Sequence, residues 1–333
     1  MVKVSCLLLI ITTIKGVINM NNFKKVGLTA LAGSLVVSSA MAGEMSVSGG
    51  ASIGLKNTSG TSTGKSWTMG NQLTFSGSGE LDNGMNVSLS MVIDQGDDTD
   101  ASTGPFDSHS VTVSSDALGK LVMSGEGGSS AQSSIDTTAA GDLWNNGSGI
   151  TAPMAAEAGD NSLFYTLPSM VDDVTINASY SPGGAGGASA TSMGVSYSGI
   201  EGLSFDYAIG DTETVGSKSD HTTMKASYAI SSFTVSYSDT NTDVESSSTT
   251  KDEDITSWEV AYTVSDDLSI TYGTETIETE GQTVDEEVDG FGISYTTGGV
   301  TIAANQYNAE GVGNVTGTAG EKDRWALSAT FAF

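Results

Sequence analysis

The chain has 333 residues, of which 42 are glycine, 4 are proline and 38% are apolar. This composition gives too little apolar material for a large helical core and too regular a pattern for a disordered chain. Acidic residues outnumber basic ones by 40 to 12, which excludes sequence-independent nucleic-acid binding, because such binding needs a basic surface. Cys6 is the only cysteine, so an intrachain disulfide and a thiolate metal cluster are excluded as well.

The first 42 residues have the composition of an export signal, because they contain four lysines and no acidic residue. Residues 20–25 form a positive region, residues 26–37 an apolar region, and Ala40 and Ala42 a small-x-small cleavage site. We therefore predict a signal peptide over residues 20–42 and a mature chain that begins at Gly43. A transmembrane anchor is the alternative, but residues 26–37 are too short for a hydrocarbon core of about 30 Å.

Residues 1–19 precede a second start, Met20, and are either a start-site artefact or an extension of the signal. Cleavage would remove four of the 12 basic residues and none of the 40 acidic ones, which leaves a charge of 8 − 40 = −32 on the mature chain.

From Glu44 onward, apolar residues alternate with polar ones, as at Met85, Val87, Leu89, Met91 and Ile93. This period of two predicts strands with one apolar and one polar face. Sixteen segments show it, with apolar positions within 45–55, 67–75, 85–93, 111–113, 121–123, 163–167, 174–180, 193–197, 203–209, 224–228, 233–237, 258–264, 268–272, 291–295, 300–304 and 325–333.

The connections between these strands alternate in length. The seven short ones are rich in Gly, Asn, Asp and Ser, as tight turns require, and lie at 82–84, 115–119, 169–173, 198–202, 231–232, 265–267 and 296–299. The eight long ones are predicted at 57–65, 94–107, 127–161, 181–190, 210–221, 239–254, 275–289 and 308–323. Short turns on one rim and long loops on the other predict an all-β, 16-stranded antiparallel transmembrane barrel of the outer membrane, with periplasmic turns and extracellular loops.

Charged residues within the strands support a barrel. They occupy the parity opposite to the apolar residues, at Glu44, Lys56, Glu80, Lys120, Glu126, Asp206, Lys225, Glu259 and Arg324. A charge on the lipid face would cost about 2 to 4 kcal/mol near the midplane. Aromatic residues near strand ends on the apolar parity suit an interfacial girdle: Trp67, Tyr180, Tyr197, Tyr237, Tyr295 and Phe333.

Four segments resemble the general bacterial porins of Gram-negative bacteria, especially the alphaproteobacterial type: residues 80–85, 110–125, 159–169 and 325–333. The last segment is the most specific, because its alternation ends in Phe331 and Phe333 and is similar to the signal read by the barrel-assembly machinery. The resemblance implies a homotrimer of pores in the lipid of the outer membrane, with the third loop folded inward. The chain departs from the family in having one arginine, Arg324, and in having Phe164 where members often carry a basic residue.

The third long segment, residues 127–161, is the predicted constriction, because connections of this length inside a compact domain are usually functional. It carries Asp136, Asp142, Trp144, Glu157 and Asp160 and no basic residue. The predicted lumen-facing cations opposite these acids are Lys56, Lys225 and Arg324, with Lys120 near the short-turn rim. An acidic lining inside low-dielectric walls predicts a preference for cations.

Neither histidine predicts catalysis. His109 lies near a strand end and His221 at the predicted exit of a loop, and neither has the His-x-Ser spacing of a lipolytic barrel. Residues 239–243 are similar to the start of a calcium loop, but Val244 replaces its glycine and Thr250 its bidentate glutamate. We expect no enzymatic activity, no cofactor and no metal site.

The sequence thus predicts passive diffusion of small hydrophilic solutes and ions through a water-filled barrel. Two alternatives remain open: a substrate-selective outer-membrane channel, and a surface adhesin or structural outer-membrane protein.

Overall fold

The computed structural model describes residues 43–59, 64–94, 107–135, 137–146, 149–156, 160–183, 187–245 and 251–333. Glu44–Phe333 forms one compact unit. The predicted signal peptide and the cleavage residues Ala40 and Ala42 lie outside the described residues, so the export signal stays a prediction. Within the described ranges, no helix is long and apolar enough to cross a membrane.

The prediction of a 16-stranded barrel is confirmed. Each strand pairs antiparallel with its neighbour in sequence, and β1 pairs with β16 from Gly50↔Ala332 to Thr58↔Arg324, which closes the sheet. The strands are β1 (Glu44–Thr58), β2 (Gly64–Glu80), β3 (Asn86–Asp94), β4 (Ser108–Ser115), β5 (Gly119–Glu126), β6 (Ser162–Thr166), β7 (Val174–Ser181), β8 (Ser189–Ile200), β9 (Leu203–Thr214), β10 (Ser217–Ile230), β11 (Phe233–Glu245), β12 (Glu253–Ser265), β13 (Leu268–Thr279), β14 (Glu286–Thr297), β15 (Val300–Glu310) and β16 (Lys322–Ala332). Short 3-10 helices lie at Leu143–Asn146 and Gly317–Ala319.

The apolar face of the strands is the exposed one. Trp67 and Met69 in β2 are 74% and 77% exposed. Pairing between strands keeps apolar residues opposite one another, as in Val111↔Met123. A slip of one residue would turn every apolar side chain to the other face, so the alternation fixes the register. In a membrane barrel the apolar face is the outside, and the polar face lines the interior.

The seven short turns are found where the sequence predicts them. Gly202 shows why glycine is required: its φ is +78°, and a Cβ there would lie 2.3 Å from the carbonyl oxygen of Ala229. Only glycine adopts this conformation without steric cost. Glycine is therefore required at this turn between β8 and β9.

The long connections predicted between β9 and β16 are longer than the connections observed there. The predicted loop 210–221 is wrong. β9 continues to Thr214 and β10 begins at Ser217, so only Val215 and Gly216 connect the two strands. Likewise the predicted loop 239–254 is too long, because β11 continues to Glu245 and β12 starts at Glu253. Residues 239–243, which are similar to the start of a calcium loop, belong to a paired strand. Backbone pairing extends here over residues that are polar on both faces, and polar residues show no hydrophobic period.

The buried apolar core lies between residues of the third connection (127–161) and the polar-parity face of β12–β15. It consists of Ala140, Leu143, Ile150, Ile255, Ile277, Val288 and Ala309, with Trp144, Tyr307 and Val312 packed against it at partial exposure. A barrel wall with apolar lipid-facing residues needs no sheet-on-sheet core. This small cluster therefore stabilises the third connection rather than the wall.

Candidate functional site

The described residues of the third connection lie along the polar face of β7 to β14. The backbone N–H groups of Ala131, Gln132 and Ala140 donate to the hydroxyls of Ser179, Ser192 and Ser257 at 2.9, 3.1 and 2.9 Å. These serines alternate with the exposed apolar residues of their strands. Because the polar face of a membrane barrel is its interior, these contacts place the segment against the inner wall.

Three buried carboxylates hold the backbone of this segment. Glu275 accepts the N–H groups of Leu143 and Trp144 at 2.7 and 2.8 Å, one with each oxygen. Glu286 accepts Thr151 N–H at 2.9 Å, and Glu253 accepts Met154 N–H at 3.0 Å. Glu275, Glu286 and Glu253 are 0%, 1% and 4% exposed, so these hydrogen bonds replace water around each carboxylate.

An apolar residue follows each of these glutamates two positions later, on the same face. Ile255, Ile277 and Val288 are each 1% exposed and pack against the segment. The pattern Glu-x-Ile or Glu-x-Val therefore occurs on three neighbouring strands, β12, β13 and β14. The glutamate binds the backbone of the connection and the aliphatic residue packs beneath it.

Glycines in the wall let the segment approach the strands closely. A Cβ at Gly273 would lie 2.7 Å from the Cβ of Ala140, and one at Gly290 would lie 2.6 Å from Cδ2 of Leu143. A Cβ at Gly210 would lie 2.7 Å from the Cβ of Ala156. Real Cβ atoms do not approach neighbours this closely, so a side chain at any of these positions would displace the segment.

Gln132 joins the two limbs of the segment. It is fully buried, its Nε2 donates to Thr223 Oγ1 at 2.7 Å, and its Oε1 accepts Ala156 N–H at 2.7 Å. Residues near the start and the end of the connection are thus fixed to each other and to β10.

The predicted acids of the segment fall into two groups. Asp142 is exposed, has a φ of +57°, and accepts hydrogen bonds from Thr138 Oγ1 at 3.0 Å and Trp144 Nε1 at 3.2 Å. Asp160 is exposed next to the start of β6. Asp136 and Glu157 lie outside the described residues, so their role stays a prediction. The structure therefore brings Asp142 and Trp144 together in the middle of the segment, at residues 142–144, which we call its tip.

The predicted cations do not all lie across from the segment. Lys225 is beneath it on β10, with Nζ 3.4 Å from the carbonyl oxygen of Thr138. Lys56 and Arg324 are elsewhere, on the adjacent strands β1 and β16, where Lys56 faces Ala326 and Arg324 faces Thr58. This register makes them diagonal neighbours on the polar face, about 7 to 8 Å apart at the Cα atoms. Lys120 is exposed beside the short turn that precedes β5.

A family model described as Gram-negative porin matches residues 27–333. The chain belongs to this family. It is accordingly a multi-pass β-barrel protein of the outer membrane, and the predicted resemblance is confirmed at the level of the family. The narrower prediction of an alphaproteobacterial type stays a prediction. No curated protein matches this porin significantly in sequence.

Solved structures share the fold of this porin at low identity. OmpT of Vibrio cholerae, as a loop L8 deletion mutant, is 15% identical over 88% of this chain and 100% of that chain, with a TM-score of 0.69. A trimer form of the same protein is 14% identical over the same shares, also with a TM-score of 0.69. An anion-selective porin from Comamonas acidovorans is 16% identical over 87% of this chain and 100% of that chain, with a TM-score of 0.66.

The histidines of this porin have different surroundings. His109 is exposed in β4, with Nδ1 4.0 Å from the Glu126 carboxylate. His221 is buried in β10, with Nδ1 3.0 Å from Thr242 Oγ1. The predicted position of His221 at the exit of a loop is wrong, because β10 already begins at Ser217. Among the residues with described positions, no group of three or more His, Cys, Asp or Glu side chains is arranged to hold a metal ion.

Sequence reasoning missed the three anchoring glutamates. It placed Glu253, Glu275 and Glu286 in the predicted extracellular loops 239–254 and 275–289. The available signal was the repeated Glu-x-Ile or Glu-x-Val on consecutive strands, since a buried aliphatic residue has no reason to recur in solvated loops.

Proposed function

We propose that this porin forms a water-filled channel through which small hydrophilic solutes and ions diffuse passively, without enzymatic turnover. One observation carries the proposal: the third connection lies on the inner wall, held by Glu253, Glu275 and Glu286. A segment fixed there narrows the lumen from the side of β7 to β14 and leaves the opening between itself and β1 to β5. Residues 127–161 are thus proposed to be the constriction.

The polar residues of β1 to β5 suit such an opening. Their interior-parity positions are mostly small hydroxyls, as at Ser48, Ser52, Thr74, Ser90 and Ser110. Hydroxyls hydrogen-bond to water and to solutes of either charge, so this wall supports permeation of many solutes rather than tight binding of one. This composition favours a general channel over a substrate-selective one.

We further propose that the channel prefers cations. The mature charge is −32, from 8 basic and 40 acidic residues, and the tip of the third connection presents Asp142. Lys56 and Arg324, on the polar face of β1 and β16, oppose this field but do not balance it. Charges in a narrow pore with low-dielectric walls are screened less than charges on an open surface, so cations are enriched in the lumen.

The proposal includes assembly as a homotrimer in the lipid of the outer membrane. A related fold, OmpT of Vibrio cholerae, occurs in a trimer form. Along the outside of β1 and β2, Met45, Trp67 and Met69 are 74% to 83% exposed, beside small residues such as Gly49 and Ala51. These strands therefore offer apolar side chains and a thin wall to a neighbouring copy. We also propose that Phe331 and Phe333 at the end of β16 are read by the barrel-assembly machinery.

Purified protein in a planar lipid bilayer tests the function. A porin gives stepwise, ohmic current that rises with KCl concentration and is insensitive to any one solute. An adhesin or structural protein gives no steps, and a substrate-selective channel gives steps that its own solute blocks at low concentration. Absence of stepwise current from correctly folded protein overturns the proposal.

A further inference from the structure

The last connection, residues 311–321 between β15 and β16, contacts the third connection inside the barrel mouth. Glu286 is the link: its Oε2 accepts Thr151 N–H at 2.9 Å, and its Oε1 accepts Gly313 N–H at 2.5 Å. The residue is 1% exposed. One carboxylate of the wall therefore holds the backbones of two different connections, one with each oxygen.

Apolar packing joins the same two segments. Val312 packs against the buried cluster that contains Leu143 and Ile150 of the third connection. A Cβ placed at Gly149 would lie 3.4 Å from Cγ1 of Val312, so the Val312 side chain lies close to the backbone of Gly149. The contact made by the carboxylate and the contact made by the valine are adjacent along the last connection.

The last connection is itself held in one conformation. Val312 N–H donates to Gly320 O at 3.1 Å and Val315 N–H to Gly311 O at 3.3 Å. Asn314 Nδ2 donates to the carbonyl oxygen of Val284 at 2.9 Å, which ties the segment to the connection before β14. Gly313, whose N–H meets Glu286, has a φ of +71°, a conformation that favours glycine. The segment is thus shaped to present this N–H to the carboxylate.

We infer that residues 311–321 are a second element of the constriction, coupled to the third connection through Glu286 and Val312. The opening is then set by both segments together, and solutes are selected by an extracellular connection as well as by the third one. This inference rests on the proposed channel function and adds to it a determinant of pore size far away in sequence.

The coupling is tested with Glu286→Gln and Val312→Ala, alone and combined, by single-channel recording in planar bilayers. Glutamine has one acceptor oxygen and two N–H donors, so one of the two backbone N–H groups loses its acceptor. We expect each change to raise the single-channel conductance or the open-channel noise. Because both changes act on the same link, the effect of the double variant should be smaller than the sum of the two single effects.

Two control variants make the same side-chain changes at positions that do not join the two connections. Glu287→Gln neutralises the adjacent, outward-facing glutamate, and Val315→Ala shortens an exposed valine, 45% exposed, of the same connection. Both should leave the conductance and the noise unchanged. Heat-dependent migration in electrophoresis identifies folded barrels, and if Glu286→Gln does not fold, Val312→Ala alone decides.

The outcomes distinguish a failure of this inference from a failure of the proposed channel function. Absence of stepwise current from the unaltered protein removes the proposed function. If the unaltered protein conducts but Val312→Ala behaves like Val315→Ala, only the coupling of the last connection is overturned. A change confined to Val312→Ala and Glu286→Gln, with unchanged controls, supports it.

Discussion

The Glu275 carboxylate lies 2.7 Å from the backbone nitrogen of Leu143, at the centre of the contact between the third connection and the wall. Its second oxygen accepts the N–H of Trp144, so both oxygens are used by consecutive residues of the 3-10 helix Leu143–Asn146. A carboxylate has no donor to offer and matches this pair of N–H groups. The segment is therefore fixed at its tip by one side chain of β13.

Glu275→Gln should loosen the tip of the third connection. Glutamine replaces one acceptor oxygen with an N–H₂ group, which leaves one backbone N–H buried without a partner, at a cost of about 1 to 3 kcal/mol. We expect higher single-channel conductance or more frequent fluctuations of the open current. Glu278→Gln is the matched control, because Glu278 is exposed on the other face of the same strand. Equal behaviour of the two variants would mean that Glu275 does not position the segment.

Gly290→Ala should displace Leu143. The added methyl group would lie 2.6 Å from Cδ2 of Leu143, and overpacking of this kind costs about 1 to 3 kcal/mol. We expect a decrease in conductance, because the segment is displaced from the wall toward the lumen. Leu143→Ala should reverse this decrease in the double variant, since it removes the clashing atoms. Gly77→Ala is the control, because a Cβ there meets nothing closer than 4.0 Å. Failure of Leu143→Ala to reverse the effect would contradict the close approach.

Lys56→Gln combined with Arg324→Gln should strengthen the preference for cations, because it removes the basic pair on β1 and β16 that faces the lumen. Reversal potentials across a KCl gradient measure the effect, and Asp142→Asn should shift them in the opposite direction. Lys65→Gln is the control, since Lys65 has the outward parity, with Nζ 6.0 Å from the ring centre of Trp325. All shifts should shrink as salt rises, because the Debye length falls below about 8 Å above physiological ionic strength. A chloride preference in the unaltered protein would refute the proposed selectivity.

The trimer should be visible in unheated electrophoresis and by mass measurement in mild detergent. A charge on the outside of β1, such as Ile53→Lys, should dissociate it, because Ile53 is 49% exposed on the proposed contact face. Ser52→Lys, on the polar face of the same strand, is the control for added charge. A monomeric unaltered protein would rule out the trimer.

The barrel could be predicted from the sequence because a bilayer imposes alternation on every strand that crosses it. Where strands continue beyond the bilayer, as from Asp239 to Glu245, both faces are polar, and the pattern disappears although the backbone pairs persist. The anchoring site was missed for a related reason. The repeated Glu-x-Ile or Glu-x-Val indicates that Glu275 and Ile277 are covered, but it does not identify the covering residue Leu143, which is 132 positions away.

Prediction also located the third connection but not its attachment. Its length marked it as functional, and its acids drew attention to Asp142, which the structure places at the tip. The third connection approaches the wall closely because Gly273 and Gly290 carry no side chain there. It is held by acids whose hydrogen-bond partners are backbone N–H groups. Backbone donors have no signature in a sequence, so these acids were assigned to extracellular loops.

Single-channel conductance of a variant that lacks residues 141–149 tests the central claim most directly. This deletion removes Leu143 and Trp144, the two residues whose N–H groups bind Glu275, and shortens the segment on the inner wall. A channel narrowed by this segment should give stepwise currents in both proteins, with larger steps in the shortened one. Steps of unchanged size from folded, shortened protein would show that the third connection does not limit the pore.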